Sequence, residues 1–333
     1  MIRAGNAKVV DINAFRSDTC FAVPPTLTID ANLYLQVGTF PLPIAVLGEV
    51  LWDVFENSRK LGGAALNFAA HAQRLGHEAL LISAVGGDSF GDQAAEAISA
   101  LGLTTRFLQK TTRFPTGVAR VQLGPGEQTR FVIERPAAYD ALCISDLEVE
   151  QLASQNPRWL YYGTLFSATT SGEAVLDRLL NALPAATRFY DLNLRQGCYT
   201  AHLVKRLLGL ANIVKLNEEE LQLVSEMTGL PSRIEAFCRE GVSRYGWQCA
   251  CITLGARGCA ILAHGDYVEA QAHTVDVADT IGAGDAFAAA FIHGLVCRWS
   301  AVEIAAFANR VGALVASRHG AIPAWTVEEA IAL

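Results

Sequence analysis

Near the C-terminus the chain reads Asp279-Thr280-Ile281-Gly282-Ala283-Gly284-Asp285-Ala286-Phe287, followed by an apolar stretch from Ala288 to Leu295. A Gly-Ala-Gly turn that opens directly into a helix offers free N–H groups and the positive end of the helix dipole. Both favour an anion, and glycines let that anion approach the backbone closely. Asp285 falls in the first turn of the same helix. A carboxylate does not bind an anion, but it can accept a proton from a hydroxyl that attacks an arriving phosphoryl group. The combination points to phosphoryl transfer to an alcohol. Taken alone, the segment reads equally well as a tight loop with a capping aspartate.

Such a turn needs a rigid frame. Ile44-Ala45-Val46-Leu47-Gly48 is a short apolar run ended by glycine, as a buried strand should be. Gly62-Gly63 precedes a helical pattern from Ala64 to Leu75, which Gly76 stops. Leu80–Val85 predicts a second strand, and a helix follows around Gly91–Leu101. Trp159–Gly163, Thr187–Asp191, Ile213–Leu216 and Cys249–Leu254 read as further strands with helical stretches between them. That alternation predicts a doubly wound, mostly parallel α/β sheet flanked by helices. One region breaks the rhythm: Thr116–Leu123, a Gly124-Pro125-Gly126-Glu127 turn and Gln128–Glu134 predict a β-hairpin. In such a fold it is either a lid or a peripheral decoration.

The 333 residues, 51% of them apolar, can bury a sizeable core. A net charge of -7 without a basic cluster argues against nucleic acid and anionic membranes as partners. The eight cysteines form no C-x-x-C pair and no zinc spacing, which fits reduced thiols in the cytoplasm. No apolar run approaches the ~20 residues that span a bilayer. Asp11, Arg16 and Asp18 interrupt any signal-peptide core. Residues 1–43 read as an extension of unknown role, and 44–333 as the working domain.

Several motifs stand in an order that is more specific than any one of them. They are Gly48-Glu49-Val50-Leu51-Trp52-Asp53, Gly62-Gly63-Ala64-Ala65-Leu66-Asn67, Asp191-Leu192-Asn193-Leu194-Arg195, Lys215-Leu216-Asn217-Glu218-Glu219-Glu220, Thr253-Leu254-Gly255-Ala256-Arg257-Gly258 and the Asp279–Asp285 segment. With these the chain resembles the ribokinase-like (PfkB) carbohydrate kinases, and among them the fructokinases, over about residues 44–324. No Walker A sequence is present, so a P-loop route to ATP is excluded.

The resemblance implies roles residue by residue. Asp285 matches the catalytic base, and Gly282, Ala283 and Gly284 the anion hole. Asp53, Gly62, Gly63, Asn67 and Arg195 match the sugar side. Asn217, Glu220, Thr253, Gly255, Gly258 and Asn309 match the nucleotide side, with Glu220 placing Mg²⁺ through water. Asp279 and Ile281 lie where family members bind a monovalent cation such as K⁺. A small β-lid is expected from residues near 53–63 and 115–136, and it could pair two copies into a homodimer. The implied activity is ATP-dependent phosphorylation of a sugar hydroxyl, with fructose as the leading acceptor. Ribose, a nucleoside or 2-keto-3-deoxygluconate would use the same catalytic residues. A sugar phosphate fits less well, because Asp53 and Asn67 replace clustered Arg and Lys. A non-catalytic sugar or nucleotide sensor would not need Asp285.

Overall fold

Strands and helices alternate along the chain, and the order in which they pair decides where a ligand can sit. The structure is a computed structural model that describes residues 21–23, 42–56, 58–123 and 129–333, with only the backbone course at 21–23, 121–123 and 129–131. The tip of the expected hairpin and most of residues 1–43 lie outside the described residues.

The strands are β1 (Phe21–Val23), β2 (Pro43–Leu47), β3 (Leu51–Val54), β4 (Arg59–Gly62), β5 (Glu78–Gly86), β6 (Leu108–Thr111), β7 (Gly117–Leu123), β8 (Thr129–Ile133), β9 (Trp159–Gly163), β10 (Thr187–Asp191), β11 (Ile213–Asn217), β12 (Cys249–Thr253), β13 (Cys259–Ala263) and β14 (Asp266–Ala270). Ten of them form one sheet in the order β1-β14-β13-β12-β11-β10-β9-β2-β5-β6. From β12 to β6 every neighbouring pair is parallel, while β12–β13 and β13–β14 are antiparallel. The expected doubly wound, mostly parallel sheet is present. In the extension, β1 pairs with β14 at the sheet edge.

Side chains alternate across each strand, so each face carries its own core. On one face Tyr161, Phe189 and Ile213 pack with α1 (Ala64–Arg74), α9 (Ala283–Val296) and α10 (Ala301–Ala316). Phe68 of α1 stacks on Tyr161 at 4.1 Å. On the other face Tyr162, Tyr190 and Val214 pack with residues of α5 (Thr170–Ala182), α6 (Ala201–Leu210), α7 (Glu218–Thr228) and α8 (Ile234–Tyr245), numbering the helices in chain order with α2 (Ser89–Ala100), α3 (Asp146–Ser154) and α4 (Thr164–Ser167) between. The interior of α9, Ala286–Gly294, is buried all round, which fixes its first turn against the sheet.

The remaining strands make a second sheet, β4-β3-β7-β8. β3 pairs antiparallel with β4 and parallel with β7, so the segments around Asp53 and the hairpin form one surface.

Candidate active site

In a parallel sheet, ligands gather at the C-terminal ends of the strands. Here those ends fall in register. Asp191 closes β10 beside Gly163 of β9 and Lys215 of β11, and Asn217 of β11 lies beside Thr253 of β12. The N-terminus of α9 meets them. Gly282 caps that helix with φ 80°, a left-handed conformation suited to glycine. A Cβ there would lie 2.4 Å from the Ala321 carbonyl oxygen, so the turn is pressed against the Ala321 backbone. Ala283 N–H closes it by donating to Thr280 O at 3.3 Å.

Asp285 is the third residue of the helix and is buried. Its Oδ2 accepts a hydrogen bond from Asn67 Nδ2 at 2.8 Å. Burial pushes its carboxyl up from the ordinary 3.8 to about 7. Asp191 adds to that rise, while Lys215, the Asn67 bond and Arg195 oppose it. A carboxylate poised near neutral pH is suited to accepting a proton in turnover.

A cavity of about 450 Å³ opens in front of Asp285. Asp53, Gly63, Asn67, Arg195, Ile281, Gly282 and Gly284 line it. Asp53 sits on β3, and burial raises it to about 6, against the pull of Arg195 and Lys60. Gly62 leaves room for it, since a Cβ at that position would stand 2.8 Å from Asp53 Oδ2. Gly63 has φ 110° and backs onto the Glu49 carbonyl, where a Cβ would meet the oxygen at 2.5 Å. Arg195 is exposed at the cavity wall. Two buried amide atoms of lining residues, Asn67 Oδ1 and Asn193 Nδ2, have no partner. One accepts and the other donates, which is what a hydroxyl can satisfy.

The six residues that the resemblance assigns to the nucleotide lie elsewhere; none of them lines this cavity. Asn217 caps α7, with Oδ1 accepting from Glu220 N at 2.8 Å. Glu220 is buried, and its two oxygens accept from Asn217 N at 2.9 Å and Leu194 N at 2.7 Å. Its carboxylate therefore anchors the loop that carries Asn193 and Arg195. With both oxygens bonded to backbone, it suits Mg²⁺ through water only. Among the described residues no group of three His, Cys, Asp or Glu side chains could hold a metal ion. Gly255–Arg257 is a 3₁₀ turn, and Arg257 pairs with Glu218 at the start of α7. Thr253 and that turn thus border Asn217. Asn309 is buried on α10 and donates to Ala270 O at 3.3 Å and Gln271 O at 3.2 Å, while Gly258 packs against the Ala270 carbonyl. Both secure the exit of β14.

Asp279 is held as a carboxylate below its ordinary range by Ile281 N at 3.0 Å, Gly320 N at 3.0 Å and Lys60 Nζ at 3.2 Å. Lys60 is therefore a cation already present at the position where the resemblance implies a monovalent ion.

Four residues that sequence reasoning assigned no role belong to the site's surroundings. Glu49 lines the cavity, and its Oε1 accepts from Ala64 N at 2.8 Å, capping α1. Asn193 holds a left-handed φ of 45°, a conformation worth noting in any non-glycine residue. Lys215 and Asp191 form a buried ion pair at 2.9 Å. All four stood inside the motifs; Lys60, the register partner of Asp53 on β4, stood in none and had no sequence signal.

Comparison with known proteins agrees with this architecture. The chain is 28% identical over 298 residues to a fructokinase of Escherichia coli, covering 84% of this chain and 94% of the relative. A sugar kinase of Pyrococcus horikoshii in complex with ATP superposes with a TM-score of 0.72 at 26% identity, over 84% of this chain and 94% of that one. A 2-dehydro-3-deoxygluconokinase of Thermotoga maritima shares the fold, with a TM-score of 0.78 at 19% identity over 88% and 98% of the two chains. The family pattern matches residues 40–327, and the chain belongs to the pfkB family of carbohydrate kinases.

Proposed function

We propose that this kinase transfers the γ-phosphate of ATP to a hydroxyl of a small neutral sugar, with fructose the leading acceptor. The observation that carries the reading is the cavity. An unpartnered acceptor and an unpartnered donor stand beside a buried carboxylate and a glycine turn at a helix N-terminus.

In this reading Asp53, Asn67 and Asn193 hold the sugar hydroxyls. Asp285 accepts the proton of the attacking hydroxyl. The N–H groups of the 282–284 turn and the α9 dipole offset charge on the phosphoryl oxygens, and Arg195 contacts the same group. The nucleotide lies along Asn217, Thr253 and the Gly255–Gly258 turn. Mg²⁺ bound with it, near Glu220 through water, would neutralise charge on the phosphates. The β4-β3-β7-β8 sheet covers the cavity and excludes water, which would otherwise compete as acceptor. Its edge strands could also pair two copies.

Charge supports a neutral acceptor. Glu49, Asp53 and Asp285 line the cavity against one guanidinium, Arg195, which disfavours 2-keto-3-deoxygluconate and sugar phosphates. The E. coli relative supports fructose over ribose or a nucleoside. Seven described cysteines are free thiols, in keeping with a cytoplasmic enzyme. Asp279 and the Ile281 carbonyl would hold a K⁺ ion, with the Lys60 ammonium already paired to Asp279.

The test is kcat/KM for ADP release with fructose, ribose, 2-keto-3-deoxygluconate and adenosine. Fructose should be highest. A value ten times higher for another of the four would overturn the choice of acceptor.

A further inference from the structure

The cavity describes what Asp285 faces; the sheet describes what stands behind it. Asp191, the last residue of β10, is the register partner of Lys215 in the middle of β11. They lie on the face that carries Phe189 and Ile213, the face packed against α9. Both are buried, with Lys215 Nζ 2.9 Å from Asp191 Oδ1. Tyr161 of β9 donates to the other oxygen, Asp191 Oδ2, at 3.4 Å. The ammonium also looks upward. A Cβ built at Gly284 would have one neighbour within 4 Å, Lys215 Nζ at 3.7 Å. The pair therefore sits directly beneath the first turn of α9, one residue from Asp285.

A buried lysine that already has a carboxylate partner does not need a second one for stability, and ion pairs of this kind often add little to it. Its position suggests another use. Resting on the reading of Asp285 as the base, we infer that Lys215, pinned by Asp191 beneath Gly284, is a positioning residue whose ammonium favours the ionised form of Asp285 in the empty site. Asn67 of α1 donates to Asp285, Arg195 lies across the cavity, and Asp53 and Glu49 lie on the lid side. Without Lys215, Asp191 and Asp285 would be two carboxylates facing each other in a buried space, and one of them would take up a proton.

The pH dependence of kcat/KM reports the free enzyme. Lys215→Met should move its acidic limb up by about one unit or more. The loss should be about tenfold or more below neutrality and should shrink in alkali. Asp191→Asn, nearly isosteric, should move the limb the other way, and the double variant should return it toward the wild type. Lys215→Arg should keep the limb in place. A role in folding alone would lower activity equally at every pH. If the limb stays fixed in Asp191→Asn, or in Lys215→Met that still binds ATP and keeps its circular dichroism, the inference is wrong. Asp191→Asn carries the test should Lys215→Met fail to fold. Asp285→Asn separates the two readings: normal turnover there sinks the base itself, whereas a dead Asp285→Asn with unmoved limbs sinks the role of the pair alone.

Discussion

In the proposed reading, the acceptor side and the nucleotide side of this site are built from different materials. The acceptor cavity is walled by side chains whose chemistry is visible in their type: Asp53, Asn67, Asn193, Arg195 and Asp285 converge on about 450 Å³. The nucleotide side is a shelf of backbone. Its named residues cap a helix, make a 3₁₀ turn or hold β14 in place. Substitutions should therefore act sharply and specifically in the cavity. On the shelf they should act through backbone geometry, with less distinction between binding and turnover.

The largest effect is expected at Asp285. Asp285→Asn should lower kcat by ~10²–10⁴-fold with ATP affinity nearly unchanged. It should also change stability with pH. The carboxyl is raised to about 7 in the folded protein, so the folded state binds the proton more tightly than the unfolded chain. Stability from this group is lost as pH rises from near 4 through 7. The amide does not titrate, so the melting temperature of the variant should gain on the wild type across that window. A variant that loses ground as pH rises would contradict the assigned direction.

Next comes the turn. Gly282→Ala combines a left-handed φ of 80° with a collision against Ala321 backbone. It should displace the anion site and cost roughly 10²-fold in kcat/KM, as misplacement by about 1 Å can. Gly284→Ala meets only Lys215 Nζ at 3.7 Å, and should stay within a few-fold. Equal effects at the two positions would mean that the crowding behind Gly282 does not set the turn.

Asp53→Ala should raise the sugar KM and leave the ATP KM nearly unchanged, by ~1–3 kcal/mol for a hydroxyl left unpaired. A parallel rise in both constants would place Asp53 outside the acceptor pocket. Asn309→Ala should do the reverse of a pocket substitution: it frees two carbonyls near β14 and should lower the melting temperature without separating the two KM values.

The smallest effect concerns the monovalent cation. Because Lys60 already bonds Asp279 Oδ2, K⁺ should stimulate the wild type modestly over tetramethylammonium, and Lys60→Met more strongly. Rates that do not depend on the ion in either protein would remove K⁺ from the site.

The contrast between the two sides also explains what could be read from the chain. The strands Trp159–Gly163 and Thr187–Asp191 were legible to the residue, because each is a short run between polar ends with both faces buried. β13 and β14 were not. Cys259–Ala263 is a short apolar run that a buried helix could equally contain, and only its pairing with β12 and β14 makes it a strand. β6, Leu-Gln-Lys-Thr at the sheet edge, has no apolar signature. In the site, Asp285 and its glycines were legible because a local turn and a helix start define them. Lys215 was visible as a letter but not as a partner, since its pairing depends on the register of β10 with β11. Asn309 illustrates the same limit. Its amide is committed to carbonyls 38 and 39 residues away, which no local pattern announces.

The central claim is that one buried carboxylate in this cavity takes the proton from a sugar hydroxyl. The most direct measurement is the pH profile of wild-type kcat/KM for fructose-dependent ADP release. The account predicts a rise that is complete only above pH 7, the value to which burial lifts Asp285, with ionisation of Asp53 near 6 contributing on the acid side. A profile that stays flat between about pH 5.5 and 8.5 would contradict it.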